Sequence, residues 1–269
     1  MILFCCAMYC EAVPLIREYK LRRNGDNILL EEYTDENGEI SLIIIGVGSV
    51  TAAAKVACEL TLLCSKKMNT DIHIVNVGVC AGTKELRGKI FLVNKITDAN
   101  TEKSFYPDML YKVNIPEISL FTCSSPVSVI ENNSFYDMEA VGIYTAANCF
   151  LSPDRITFLK IVSDNGEERI TSQYITSLVE QNISYINEVC SLLSDTMRIQ
   201  PIYNVDWDMF NEVCDRLHFT VSMKNEFKQI VKYASLNGQD IEKILNQLPE
   251  TADKKQGKEI LDELKKRIV

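Results

Sequence analysis

Four acidic residues stand where apolar segments end or begin: Glu11, Asp137, Glu139 and Asp164. In open α/β sheets, ligands bind outside the carboxyl ends of the strands, so acids at such places could meet in one pocket. A carboxylate near helix amides is stabilised in its charged form, whereas one in a drier pocket has a raised pKa and can donate a proton. Two acids in such different environments suit cleavage of a glycosidic bond, because one protonates the leaving group and the other activates water.

Each of these acids also has a purely structural interpretation. Glu11 could cap a helix or lie at the surface, and Asp164 could cap the loop SDNGEE. Asp137 and Glu139 could be first-turn acids that match the dipole of the helix predicted after them. The residues alone leave both interpretations open.

Histidines are scarce, which limits the catalytic mechanisms that the chain could use. The chain has two, His73 and His218. His73 lies inside the apolar run DIHIVNV, which predicts a hydrogen-bonded core imidazole. A Ser-His-Asp or Cys-His mechanism would need one of these two side chains, so carboxylates are the better candidates for catalysis.

Ten cysteines fall within apolar segments, as Cys58 and Cys190 do, and none forms a CxxC pair. They are predicted to be reduced thiols that act as small apolar residues in a cytosolic protein, with a redox or metal role as the alternative. The turn Gly46-x-Gly48 lacks the third glycine of a dinucleotide fingerprint, so NAD is not inferred. No metal or organic cofactor is expected.

Size and charge set the class of protein. The 269 residues, 46% of them apolar, suffice for one large domain or one domain with an appendage, and the net charge is −9. This charge argues against nucleic-acid or anionic-membrane binding, and no apolar run approaches the ~20 residues of a membrane span. The N-terminal run MILFCCAMYCEAV has no basic leader, so it predicts a buried strand rather than a signal peptide, and a cytoplasmic protein.

Strands and helices alternate over the first two thirds of the chain, which predicts an α/β layered domain at 1–198. The strands are expected at 2–7, SLIIIG, DIHIVNVG, KIFLVNKI and RITFLKIVSD, with a Gly-rich loop, VGVCAGTKELRG, after the third. Helices are expected at AVPLIREY with Pro14 in its first turn, at TAAAKVACELTLLC, at 137–150 and at 171–195. Residues 98–134 are predicted to be irregular.

The remainder, 199–269, has no strand-like run and is predicted to be an all-helical extension. Its helices are expected near 206–218, 222–236, 240–248 and 254–268, with Ser222 as a cap and Asn237-Gly238 as a stop. This extension is interpreted as a module that packs on the main domain or on a partner, and a helix-turn-helix is the weaker alternative.

Five segments in one order carry a resemblance: AMYCEAVPLI, IIGVGSVTAAAKVACEL, VNVGVCAGTKELRGKIFLVNKITD, DMEAVGI and IVSDNGEE. They resemble the AMxxEV, SGIGKVAAA, N-T-G-S-A-G-G, E-M-E-A and I-S-D segments of the 5′-methylthioadenosine/S-adenosylhomocysteine nucleosidases. This family belongs to the purine nucleoside phosphorylase superfamily. The segments extend over most of residues 1–170, and the resemblance implies a three-layer sandwich with a central mixed sheet, and a homodimer.

The resemblance implies a role for each matching position. Asp164 would protonate N7 of a purine leaving group, and Glu11 would help to activate the attacking water. Glu139 would hold the ribose hydroxyls while Met138 packs on the sugar. The remaining positions that it places at the substrate are Ala7, Met8, Gly78, Val79 and Ser163. The transition state would be oxocarbenium-like, so acids near the sugar would also stabilise its positive charge.

Two departures from the family pattern bear on the reaction. Phosphorylases of this superfamily often show an R-V-G-S/T-C-G loop, but Asn76 and Val79 stand where the arginine and the hydroxyl would hold phosphate. Hydrolysis is therefore favoured over phosphorolysis, which is the first alternative. The segment from Asp98 to Asp137 is shorter than in the family, with 121–128 as the remnant that contacts the base. A nucleoside-binding or partner-binding protein on the same fold is the second alternative.

Overall fold

The computed structural model describes residues 1–25, 29–65, 72–130, 134–166, 170–198, 205–249 and 254–268. Two compact units divide the chain, Met1–Met197 and Arg198–Val269. In the first unit the strands are β1 Ile2–Cys6, β2 Arg22–Arg23, β3 Glu32–Thr34, β4 Ile40–Ile44, β5 His73–Ala81, β6 Ile90–Asp98, β7 Ser104–Phe105, β8 Glu117–Thr122, β9 Phe135–Asp137 and β10 Ile156–Asp164. Its helices are α1 Tyr9–Glu18, α2 Ser49–Ser65, α3 Ala140–Ala147, α4 Ser172–Gln181 and α5 Ile183–Arg198.

A mixed sheet is the centre of the first unit. Strand β1 lies parallel between β4 and β5, and β5 also pairs in parallel with β10. The chain of pairings β5–β10–β6–β8–β9 returns to β5 and so closes a ring of five strands. Parallel β1, β5 and β10 bring their carboxyl ends, and the residues that follow them, to one edge of the sheet.

The sheet has a core on each face. Alternate side chains of β1 point to opposite faces, so Leu3 and Cys5 lie in one core and Phe4 and Cys6 lie in the other. The first core contains side chains of α2 and α3, and the second contains side chains of α1, α4 and α5. Burial raises the pKa of the Cys5 and Cys6 thiols, which therefore stay protonated and pack as small apolar groups.

The predicted Gly-rich loop is the clearest error of the sequence interpretation. Residues of VGVCA continue β5 to Ala81, and Gly78 and Val79 lie opposite Lys160 and Ile161 of β10. Pairing with β10 along this length overrides the low strand preference of glycine. Gly78, where the predicted strand and the predicted loop overlap, is a strand residue, and so are residues 79–81, which were predicted only as loop.

Helix α1 begins earlier than expected. It starts at Tyr9, so Pro14 lies in its interior rather than in its first turn. Proline has no N–H for the carbonyl four residues before it, which is that of Cys10. Thr176 of α4 donates its hydroxyl to this carbonyl over 2.9 Å, so a second helix satisfies the acceptor.

Three further boundaries differ from the predictions. The single helix at 171–195 is two helices, which are separated at Asn182, whose side-chain amide donates to the carbonyls of Leu178 and Gly88. The helix at 137–150 is shorter, because Asp137 is the last residue of β9. The segment 98–134 contains β7 and β8, and residues 131–133 lie outside the described residues.

The second unit contains α6 Trp207–Arg216, α7 Val221–Leu236, α8 Ile241–Asn246 and α9 Lys254–Ile268. Thr220, not Ser222, caps α7 by accepting from the Met223 amide, and Gly238 follows that helix with a φ of +71°. Phe210, Leu217 and Phe227 lie in a core formed by this unit's own helices. Across the described residues of both units, no helix is long and apolar enough to cross a membrane.

His73 is a core imidazole, as predicted. Its Nε2 lies 2.9 Å from the Thr157 hydroxyl, which also lies 2.9 Å from the Tyr111 hydroxyl. Burial, with a smaller effect of Arg155, lowers the pKa of His73 to about 3. The imidazole is therefore neutral in the folded protein at pH values where an exposed histidine is charged.

This lowered pKa makes the first unit less stable in acid. The unfolded chain binds a proton at His73 below pH ~6.5 and the folded chain does not, so stability should fall by about 1.4 kcal/mol per pH unit as the pH decreases from there towards 3. In His73→Gln this dependence should disappear. Hydrogen exchange of β5 and β10 amides, compared between the two proteins at each pH from 7 to 5, measures the difference. Opening free energies that run parallel in both would contradict the assignment.

Candidate active site

A buried lysine is the centre of the candidate site. Lys160 interrupts the apolar strand β10 and is 1% exposed. Its Nζ lies 2.9 Å from Asp137 Oδ2, and both side chains are inaccessible to solvent or nearly so. Burial lowers the pKa of Lys160, but the surrounding carboxylates, led by Asp137 and then Glu139, outweigh it and raise the pKa. The ammonium is therefore charged.

Asp137, which had no predicted role beyond a helix dipole or turn, anchors this lysine. Its Oδ1 accepts from the Thr122 hydroxyl over 2.7 Å, and its Oδ2 accepts from the Ala140 amide over 2.9 Å. The Thr122 oxygen in turn accepts from the Val141 amide over 3.2 Å. The amides of the first turn of α3 thus support the carboxylate, so the interpretation of Asp137 as a residue near a helix start is correct but incomplete.

Glu11 lies at the carboxyl end of β1, in the first turn of α1. Its Oε2 accepts from the Met8 amide over 2.9 Å and its Oε1 from the Val79 amide over 3.0 Å. Burial raises the pKa of Glu11, the two amide hydrogen bonds and Lys160 oppose that rise, and Glu139 adds to it. Glu11 is therefore both a helix cap and a buried acid that joins α1 to β5.

Gly78 leaves room for Glu11 and Lys160 to approach each other. A Cβ at this position would lie 3.1 Å from Glu11 Oε1 and 3.5 Å from Lys160 Nζ. The first distance is shorter than an ordinary contact, so a side chain here would displace the acid. The absence of a side chain keeps the acid and the ammonium at the same point of the sheet.

Glu139 is the residue before α3, and the turn before α2 holds it. Its Oε1 accepts from the Gly48 amide over 2.9 Å, and the Ser49 hydroxyl donates to the Met138 carbonyl over 3.1 Å. Burial raises the pKa of Glu139, Lys160 lowers it and Asp137 raises it. The GVGS turn thus fixes both Met138 and Glu139, which it precedes by about ninety residues of sequence.

Asp164 ends β10 and stabilises the turn that follows. Its Oδ2 accepts from the Ser163 hydroxyl over 2.6 Å, and its Oδ1 accepts from the Gly166 amide over 2.8 Å. The structural interpretation as a cap is thus correct for the described part of SDNGEE, and 167–169 lie outside the described residues. The hydrogen bonds and ion pairs of the described residues do not join Asp164 to Glu11, Glu139 or Lys160.

The other predicted positions lie at the same edge of the sheet. The Ala7 carbonyl accepts from the Gly46 amide over 3.1 Å, directly after β1, and Met8 is the residue before α1. Val79 contributes its amide to Glu11 rather than a side-chain contact. Ser163 is 2% exposed, and its hydroxyl also lies 3.3 Å from the Cys80 carbonyl.

Three of the four acids therefore surround one ammonium, which the sequence interpretation missed. The signal was present: a single lysine inside the otherwise apolar run ITFLKIV is rare, because an unpaired buried charge is costly. Such a lysine predicts buried carboxylate partners elsewhere in the chain. Among the described residues, no group of three or more histidine, cysteine or acidic side chains is arranged to hold a metal ion.

Comparison with known proteins shows the fold. No protein-family profile and no curated protein sequence matches the chain. Among solved structures, Arabidopsis thaliana 5′-methylthioadenosine nucleosidase in apo form aligns with a TM-score of 0.56 at 17% identity, over 76% of this chain and 98% of that one. Helicobacter pylori 5′-methylthioadenosine/S-adenosylhomocysteine nucleosidase, bound to butyl-thio-DADMe-Immucillin-A, aligns at 0.55 and 12% over 71% and 97%. Helicobacter pylori futalosine hydrolase aligns at 0.55 and 13%, also over 71% and 97%.

The contact between α2 and α3 generates a prediction about stability. A Cβ on Gly142 would lie 2.0 Å from the Ser49 carbonyl oxygen, so Gly142→Ala must separate the two helices. We expect a loss of about 1–3 kcal/mol in stability despite the better helix propensity of alanine.

Thermal unfolding of the variant measures the loss, and Gly25→Ala is the matched control. Gly25 has open space around its Cβ position and should tolerate alanine with little change. Equal stability of the Gly142 variant and the wild type would show that the helices are not packed this closely.

Proposed function

We propose that this chain is a purine nucleosidase, which hydrolyses the N-ribosyl bond of a nucleoside such as methylthioadenosine or adenosylhomocysteine. The observation that carries the proposal is the convergence of buried Glu11 and Glu139 on Lys160 at the carboxyl edge of the sheet. These acids stand at the positions that the sequence resemblance assigns to the substrate. The fold shared with known nucleosidases supports the same conclusion.

Glu11 is suited to activate the attacking water. Two backbone amides fix its carboxylate, and burial raises its pKa, which makes it a better proton acceptor than an exposed carboxylate. Glu139 would hold the ribose hydroxyls, with Met138 against the sugar and Ala7, Met8, Gly78 and Val79 lining the ribosyl end. Both carboxylates would stabilise positive charge on the sugar as the bond to the base breaks.

Asp164 would protonate N7 of the departing purine. The Ser163 hydroxyl, 2.6 Å from Asp164 Oδ2, can donate to the carboxylate or accept from the carboxylic acid, so it can support both forms. Among the described residues no hydrogen bond or ion pair joins Asp164 to Lys160, which suits this division of labour. The ammonium stabilises negative charge on Glu11, while the proposed acid lies outside its hydrogen-bonded surroundings.

The charge around Lys160 favours water over phosphate as the nucleophile. One ammonium faces three carboxylates, those of Asp137, Glu139 and Glu11. An added phosphate dianion would meet net negative charge in a buried setting. Asn76, which occupies the position of the phosphorylase arginine, is buried and donates to the Cys5 carbonyl, so it joins two strands instead of binding an anion.

The proposal also includes the domain organisation and the oligomeric state. Residues 1–198 would form the nucleosidase domain as a three-layer sandwich, which the apolar cores on both faces of the sheet support. Residues 199–269 would be a helical extension, supported by the separate core of α6–α9. A cytoplasmic homodimer follows from the sequence resemblance and is part of the same proposal.

A nucleoside-binding or partner-binding protein without efficient turnover is the alternative from another class. The short segment between Asp98 and Asp137 and the added helices favour it. The positioned Glu11, Glu139 and Lys160 favour catalysis instead, because a binding site has no need for a buried acid held by two amides beside a charged lysine.

Asp164→Asn tests the proposed acid. Release of free base from a panel of purine nucleosides should fall about 10²–10⁴-fold, because the amide cannot protonate the leaving group. Asp98→Asn is the matched control, since Asp98 also ends a strand and accepts from the amide two residues on, over 2.9 Å. Circular dichroism checks the fold of both variants. Unchanged turnover in Asp164→Asn would remove this residue from the mechanism.

The choice of nucleophile has a separate test. Base release by the wild type should proceed at the same rate with and without phosphate, and the sugar product should be the free ribose derivative rather than its 1-phosphate. Mass spectrometry of the sugar product distinguishes the two. A strict requirement for phosphate would establish the phosphorylase alternative, and binding of a nucleoside without cleavage would establish the binding protein.

A further inference from the structure

We propose that Lys160, anchored by Asp137, is a positioning residue that holds Glu11 and Glu139 in place as a pair of carboxylates near one ammonium. This inference rests on the proposed function for its catalytic meaning. Its physical content, the control of two buried acids by one buried cation, can be tested in the protein without substrate.

The geometry of Asp137 is that of an anchor. Its two oxygens receive three donors, from Thr122, the Ala140 amide and Lys160, all at 2.7–2.9 Å. Two of these donors belong to β8 and to the first turn of α3, which do not include Lys160 or Glu11. The position of the ammonium is therefore set by elements other than the strand that carries it.

The surroundings of Lys160 exceed what an isolated ion pair requires. One carboxylate would neutralise the ammonium, yet Glu139 and Glu11 also act on it. Replacement of a buried ion pair by apolar residues is often neutral for stability, so stability alone does not account for such a pair. The added acids are those that the proposed reaction uses.

Glu11 and Glu139 depend on this cation because each is buried near another carboxylate, Glu11 near Glu139 and Glu139 near Asp137. Glu139 acts on Glu11 to raise its pKa, burial has the same effect on both, and Lys160 opposes it. The titratable groups that face the ammonium come from five elements: Asp137 of β9, Glu139 before α3, Glu11 of α1, Cys6 of β1 and Cys80 of β5. Cys10 also lies near Glu11. Burial raises the pKa of these thiols, so the cysteines stay neutral over the range in which the acids titrate.

The test is a carboxyl ¹³C NMR titration of Glu11 and Glu139 in the ligand-free protein. In Lys160→Met both carboxyls should titrate at higher pH than in the wild type, and Lys160→Arg should restore them. Lys55→Met is the matched control, because Lys55 is a partly buried lysine whose Nζ donates to the Ile44 carbonyl and, within the described part of the chain, to no carboxylate. Titration of both acids at the wild-type pH in Lys160→Met would overturn the proposal.

Asp137→Asn is a second, independent variant, in which the titration of Glu139 should shift in the opposite direction. It removes a negative charge beside Glu139, so the carboxyl of Glu139 should titrate at lower pH, while the loosened ammonium lowers kcat about 100-fold and changes KM little. General loss of structure would not produce opposite titration shifts in the two variants. Should Lys160→Met not fold, Asp137→Asn carries the test: an unchanged Glu139 titration, or a wild-type kcat, would then overturn the anchoring role.

The experiments distinguish a failure of the proposed function from a failure of the positioning role of Lys160. If the wild type cleaves no nucleoside, the proposed function is wrong, and the titrations alone decide whether Lys160 controls the acids. If the wild type cleaves a nucleoside and the acid limb of kcat/KM does not move to higher pH in Lys160→Met, the function stands and the positioning role is wrong.

Discussion

An ammonium group that leaves water must be compensated by carboxylates close to it, and the first unit of this protein satisfies that requirement at Lys160. Removal of one partner from such a pair typically costs about 3–5 kcal/mol, so the positions of its partners are strongly constrained. The constraint reaches four separate elements, because Asp137 ends β9, Glu139 precedes α3, Glu11 lies in the first turn of α1 and Lys160 is central in β10. The packing of the sheet edge and the chemistry of the site therefore share one electrostatic origin.

Backbone amides, together with the ammonium, hold the three acids in place. Met8, Gly48, Val79 and Ala140 each donate an amide to one of the three acids, and none of these donors is a side chain that could rotate away. Fixed dipoles of this kind do not reorganise during a reaction, which is the property that catalysis on a developing charge requires. Glycine at 78 and 142 permits close approaches of neighbouring groups, and Gly48, which donates to Glu139, has a φ of +96° that favours glycine.

Much of this arrangement could be predicted from the sequence. Apolar runs identified the long strands, and the position of Glu11 just after the first run predicted its place at the sheet edge. The failures have physical causes. The glycines near 78–82 suggested a loop after Gly78, but pairing with β10 continues the strand to Ala81, and only the folded chain reveals that partner. Asp137 was unexplained because its lysine lies far along the sequence and was treated as one more residue of an apolar strand. The separation of Asp164 from the other acids was equally invisible, since it depends on local turn hydrogen bonds.

The proline within α1 has a consequence for motion. It removes an internal hydrogen bond from the helix that carries Glu11, and the Thr176 hydroxyl of α4 donates to the carbonyl of Cys10, which lacks its helical donor. A shift of α4 along its axis would strain or break this bond to the helix of Glu11. The Thr176 hydroxyl and the ion pair between Arg17 of α1 and Glu180 of α4 couple the two helices, so a substituent that displaces α4 will be felt by the helix of Glu11.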